Sequence, residues 1–167
     1  NVWAELLDMR KRFEPKAEEF ARKYGLAPYT MFIGSGALWG ETILFSMCIL
    51  EEMQWKRTRS ITSHDFFHGT LELLEPGVPV FLFKGEDECR ALDNRVEAFL
   101  RSGKTGDEDY LIIDTAEYAI PGLDDDFRVI VSPWILTVLA TDRMARHYET
   151  VTKHNLKYRR YYHQFDY

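Results

Sequence analysis

Apolar positions Val2, Leu6, Leu7, Phe13, Ala17, Phe20 and Ala21 trace one face of a helical pattern running from Val2 to Tyr24. Pro15 inside that run is expected to kink the helix or to start a second one. Gly25 ends the pattern. After Pro28 the short run Tyr29 to Ile33 is apolar on both faces and meets Gly34-Ser35-Gly36 at once, which predicts a buried strand entering a tight turn. Helical spacing returns from Ala37 to Met53, with Leu38, Thr42, Phe45, Ile49 and Met53 on one stripe. Strand, glycine turn and helix make a β-α unit.

The alternation then continues with different loops. Arg59 to Thr62 reads as a weak strand, Phe66 to Leu74 as a short helix, Val78 to Lys84 as a strong apolar strand and Asp87 to Arg101 as a helix. Gly103 to Glu108 is a polar loop, Tyr110 to Ile113 a buried strand and Phe127 to Val131 a fifth strand. The last helix is expected from Pro133 to about Thr152, with proline in its first turn. Five strands joined mostly through helices predict an α/β fold, a doubly wound five-stranded parallel sheet with helices on both faces. One domain is expected over residues 1–153, and residues 154–167 form a tail dense in Tyr, Arg and His that should pack on something.

Composition narrows the function classes. With 27 Asp+Glu against 21 Lys+Arg the net charge is −6, which argues against a polyanion-binding surface and so against nucleic acid as partner. No apolar run reaches the ~20 residues needed to cross a bilayer, and no signal-peptide pattern opens the chain, so the reading is cytoplasmic with no membrane partner. Cys48 and Cys89 cannot make a disulfide framework, in keeping with a reducing compartment. The chain starts on Asn1 directly within a helical pattern, as a fragment or a processed chain would.

Three groups of residues could carry chemistry. Gly34-Ser35-Gly36 lies at the carboxyl end of the first strand, where open parallel sheets bind ligands, although a plain turn needing positive φ explains the glycines equally well. His64-Asp65-Phe66-Phe67-His68 sets two histidines four apart, but Asp stands where zinc proteases use Glu and no third ligand is nearby, so no metal is expected. Glu51 and Glu52 end an apolar helix, where the helix dipole disfavours an ionised carboxylate, a setting suited to proton transfer. A solvated pair is the plainer alternative. Asp124 to Asp126 reads as a solvated turn.

Together, Ile33 to Gly36, Leu50 to Trp55 (Leu-Glu-Glu-Met-Gln-Trp) and Asp65 to Glu72 (Asp-Phe-Phe-His-Gly-Thr-Leu-Glu) resemble the second sugar isomerase (SIS) domain of the fructosamine-6-phosphate deglycases. Those enzymes are similar to the isomerase half of glucosamine-6-phosphate synthase, in which a catalytic Glu is followed sixteen residues later by the His of a His-Gly pair. Glu52 and His68 here have that separation. The tail His154-Asn155 and Arg159-Arg160-Tyr161 also resembles the deglycase end.

The resemblance implies a deglycase cleaving a fructosamine 6-phosphate to glucose 6-phosphate and an amino acid, with Glu52 and His68 catalytic and no cofactor. It further implies substrate contacts at Ser35, Gly36 and Arg160, and a homodimer or higher homo-oligomer. Arg160 falls roughly where the synthase has a ring-opening Lys, and a guanidinium cannot form that Schiff base. Family members bind the phosphate through Ser/Thr-rich loops of a first SIS domain, which this chain lacks, so the chain is expected to be the C-terminal half of a two-SIS enzyme. A non-catalytic sugar-phosphate-binding module and an aldose–ketose isomerase are the alternative readings.

Overall fold

The computed structural model describes residues 1–104 and 109–166; the polar loop expected over Gly103 to Glu108 falls largely outside them. Helix α1 (Val2–Tyr24) runs through Pro15 as one helix, because that residue lies on its exposed side. It leads into β1 (Tyr29–Gly34), followed by a 3-10 turn (Gly36–Leu38), α2 (Trp39–Ile43) and a π-helical run (Leu44–Glu51) that form one rod. Next come β2 (Arg57–Ile61), α3 (Ser63–Phe66) and a 3-10 turn (Thr70–Leu73). The single helix expected over Phe66 to Leu74 is therefore two short turns, broken at Gly69, whose φ of 130° lies outside helical space. Strand β3 (Val80–Lys84), α4 (Arg90–Leu100) and β4 (Tyr110–Asp114) complete the sheet.

Four parallel strands in the order β2-β1-β3-β4 make up the sheet of the described residues. The expected fifth strand at Phe127 to Val131 is helical instead. Asp124 accepts a hydrogen bond from the Asp126 amide and nucleates a 3-10 turn (Asp125–Phe127) that feeds α5 (Arg128–Leu136). Phe127 and Ile130 are 54% and 68% exposed, so this β-branched stretch has no sheet to pack in. The last helix thus starts five residues before Pro133 and continues through a π-helical run (Thr137–Met144) into α6 (Ala145–Thr152).

Alternation along the strands divides the core in two. Phe32, Phe81, Phe83, Leu111 and Ile113 face α1, the α2 rod and the α5–α6 rod. Met31, Ile33, Val80 and Leu82 face Phe66 of α3 and Val96 and Leu100 of α4. Phe32 stacks on Phe81 at 4.9 Å, and Phe45 from the rod meets both rings edge-on at 5.5 Å.

At the carboxyl ends of β3 and β4 a half-buried ion network replaces apolar packing. Arg90 donates two hydrogen bonds to Asp114 at 2.9 and 2.7 Å, and Lys84 bridges Asp114 and Glu97. Burial alone would raise the Asp114 carboxyl, but the bonds from Arg90, the Ala116 amide and Lys84 outweigh it and hold the group below the usual carboxylate range. A carboxyl depressed in the folded state stabilises fully above its unfolded value of about 4, and that contribution is lost as pH falls through the folded value. Urea midpoints should therefore be flat from pH 7 to about 5 and fall below about pH 4. Asp114→Asn should remove about 3 kcal/mol at neutral pH and flatten the acid limb; an acid limb unaltered in that variant would refute the assignment.

Candidate active site

The two edges of the sheet carry different chemistry. At the carboxyl edge, Ser35 is buried and its hydroxyl accepts the Ser63 amide at 2.7 Å. Gly36 takes a φ of 55°, and the Asp87 carboxylate accepts the Ala37 amide at 2.6 Å, in the position an anion would occupy at a helix start. A Cβ on Gly36 would come within 2.1 Å of Asp87 Oδ2. The protein's own carboxylate thus occupies the Ala37 amide in this turn, and the Ser35 hydroxyl is engaged by the Ser63 amide. Gly36→Ala should cost about 2 kcal/mol, from positive φ and the displaced Asp87, measurable as a lowered urea midpoint; an unshifted midpoint would show the turn to be unconstrained.

Glu52 lies at the opposite edge. Running antiparallel to β1, the rod delivers its last turn to the amino ends of β1 and β2, about 20 Å from Ser35 by strand length. The π-helical run sets the Glu52 amide onto the Met47 carbonyl at 2.9 Å, five residues back, and this wider turn re-aims the helix end from where α-helical spacing would set it. Glu52 and Arg159 form an ion pair, with Nε to Oε1 at 2.8 Å. Oε2 of Glu52 takes no hydrogen bond from the described residues. Glu51 is exposed and accepts the Thr58 hydroxyl.

The tail is held over this edge by specific bonds. Lys153 takes a left-handed φ of 57° and ends α6. Gln54, 6% exposed, donates to the His154 carbonyl at 2.6 Å and accepts the Thr152 hydroxyl at 2.6 Å. Trp55, itself at a φ of 54°, packs against the His154 ring at 4.3 Å and carries the Arg160 guanidinium 4.1 Å above its own ring. Arg159 is fixed by the carbonyls of Leu156 and Tyr158, each at 2.8 Å.

Between tail and rod lies a cavity of about 430 Å³, lined by Glu51, Glu52, Trp55 and Lys56 on one side and by residues 159–162 on the other. Lys56 donates to the Gly25 and Ala27 carbonyls at 2.8 and 2.6 Å, and burial pulls its ammonium below the usual lysine range. It secures the end of α1 and has little left for a ligand.

His68 is absent from this cavity. It follows α3, beyond the carboxyl end of β2, whereas Glu52 precedes the amino end of the same strand, so within one chain the two sit at opposite edges of the sheet. The His68 side chain is exposed. His64 pairs with Asp65 at 3.4 Å, and α3 ends at Phe66, so the two histidines do not share a regular helical face. Of the five site residues expected from the sequence, the structure brings Glu52 and Arg160 into one cavity. Trp55, Gln54 and Arg159 were missed as site residues, although the density of aromatic and basic residues in the tail was the signal for a docked segment.

The fold matches a Bacillus subtilis protein assigned as a phosphosugar isomerase with a TM-score of 0.90 at 28% identity, over 98% of this chain and 49% of that one. A Salmonella typhimurium protein with the same assignment gives 0.88 at 27% identity, again over 98% and 49%. The C-terminal domain of glucosamine-fructose-6-phosphate aminotransferase from Francisella tularensis shares the fold at a TM-score of 0.66 and 12% identity, over 93% of this chain and 44% of that one. The chain thus shares an α/β, SIS-like fold with proteins assigned as phosphosugar isomerases.

Within that class, the chain is homologous to fructosamine deglycase FrlB of Bacillus subtilis (strain 168), 30% identical over 161 residues that cover 94% of this chain and 47% of that protein. Fructoselysine 6-phosphate deglycase of Escherichia coli (strain K12) is 27% identical over 155 residues, 91% of this chain and 42% of that protein. The chain spans just under half the length of these curated relatives and corresponds to the C-terminal half. No protein-family model matches it. No helix among the described residues is long and apolar enough to cross a membrane.

Proposed function

We propose that this chain is the acid–base half of a two-SIS enzyme that cleaves a fructosamine 6-phosphate into glucose 6-phosphate and an amino acid. The observation that carries the reading is Glu52 facing a cavity, oriented through one oxygen by Arg159 and with its other oxygen taking no hydrogen bond from the described residues. Glu52 takes a proton from carbon 1 of the open-chain ketosamine, next to the carbon 2 carbonyl, to give an enolised intermediate. It then returns the proton to carbon 2, leaving a C=N bond between carbon 1 and the amine. Water adds to carbon 1, the amine leaves, and the aldehyde of glucose 6-phosphate remains. A carboxylate suits this shuttle because one group can accept and return the same proton.

His68 serves as the acid–base group on the sugar oxygens, supplied to the Glu52 cavity by a second copy of the chain in a homo-oligomer. What supports the shared arrangement is the separation of the two residues across the sheet within one chain. An apolar groove of about 440 Å³ lined by Val2, Trp3, Leu6, Trp134, Thr137 and Val138 supports an assembly larger than this chain, since Trp3 and Trp134 are 76% and 64% exposed. The phosphate is bound outside this chain's β1 turn, which Asp87 fills.

The test is incubation of the complete protein with fructosamine 6-phosphates and separate assays for glucose 6-phosphate and free amino acid. Equal release of both is expected. Conversion of the sugar without release of amine would support the aldose–ketose isomerase reading, and binding without conversion would support a sensing module.

A further inference from the structure

The cavity beside Glu52 holds three cations, and two of them are committed to the protein. Lys56 donates to two backbone carbonyls, and Arg159 to two carbonyls and Glu52. Arg160 makes no hydrogen bond or ion pair with the described residues; its guanidinium carbon lies 4.1 Å from the centre of the Trp55 ring. A cation–π contact holds the guanidinium over the ring, and its N–H donors meet no acceptor among the described residues. A guanidinium anchored in this way and left without an acidic partner fits a planar, bidentate anion.

The chemistry of the substrate class says which anion this is. Glu52 works at carbons 1 and 2, and the amine nitrogen is bonded to carbon 1. In an amino acid linked through its α-nitrogen the carboxyl carbon is three bonds from carbon 1, about 4 Å away. The phosphorus of the 6-phosphate is seven bonds away along an extended sugar, about twice that distance. The neighbour of the reacting carbons is therefore the carboxylate.

We propose that Arg160 receives the α-carboxylate of the amino acid carried on carbon 1, and that this contact selects ketosamine phosphates linked through an α-amino group. The assignment rests on the deglycase reading of the cavity. Trp55 is the positioning residue, because its ring holds the guanidinium at the cavity. Its left-handed backbone at φ 54° is an uncommon conformation for a bulky residue, and it places the indole beneath the tail.

The experiment compares two substrates in the complete protein: the 6-phosphate ketosamine of glycine, which has the α-carboxylate, and that of methylamine, which lacks it and keeps the phosphate. Wild type should prefer the glycine compound by at least about tenfold in kcat/KM, the scale of one charge-assisted contact. Arg160→Ala should erase that preference, mainly through KM, and Arg160→Lys should restore part of it. Because Arg160 is exposed on the tail, folding can be checked independently by near-UV circular dichroism. Equal losses for both compounds would mean that Arg160 reads the phosphate, and an unmoved preference would mean that it reads neither; both overturn the assignment while leaving the deglycase reading intact. Absence of turnover with both compounds in wild type would overturn the deglycase reading and this assignment with it.

Discussion

Glu52→Gln in the complete protein is expected to lower turnover of a fructosamine 6-phosphate at least about a hundredfold, the scale of losing a positioned general base. The substitution is nearly isosteric, and the amide oxygen can still accept the Arg159 Nε hydrogen at the position Oε1 now occupies. The tail should therefore stay docked, since it also hangs on Gln54, on Trp55 and on Glu149, which accepts the Leu156 amide at 2.9 Å. Near-UV circular dichroism and urea midpoint should match wild type within about 0.5 kcal/mol, the range for a substitution that leaves packing intact. What the amide cannot do is accept a proton from carbon 1. Turnover within threefold of wild type would remove Glu52 from the mechanism.

The parts of the fold that could be read from the chain are those where local pattern and tertiary environment agree. Strands β1, β3 and β4 are apolar runs bounded by turn residues, and all three lie near their expected positions. The failure at Phe127 to Val131 has a physical reason. Val129, Ile130 and Val131 are strand formers in isolation, but the Asp124 cap and the continuation Ile135, Leu136, Leu139 on a helical period commit the segment to a rod.

At the site, Glu52 was legible from its position at a helix end, whereas its partner Arg159 was not, because 107 residues separate them and only the folded tail brings them together. Ser35 and Gly36 were read by the general rule for open parallel sheets, which places ligands at the carboxyl edge. Here Asp87 caps the turn after β1, and the cavity beside Glu52 lies at the other edge. No periodicity argument reports that a loop carboxylate fifty residues away will fold back onto a turn.

A mixture of two inactive variants should regain turnover. Glu52→Gln and His68→Asn chains, each inactive alone, are combined under conditions that exchange subunits. If the two residues meet across a subunit boundary, a mixed dimer has one site with both substitutions and one with neither. Random exchange of equal amounts makes half of the dimers mixed, so about a quarter of wild-type activity per site should return. The paired Phe66 and Phe67 need no partner chain to cover them, because Phe66 is fully buried and Phe67 packs edge-on against Phe99 with the Arg95 guanidinium 4.1 Å above it. The motive for a shared site is the sheet itself: β2 separates Glu52 from His68 by a full strand length of about 17 Å, and no side-chain rotation spans that distance. Subunit exchange verified by mass-labelled chains, with no activity regained, would place the two residues in separate sites.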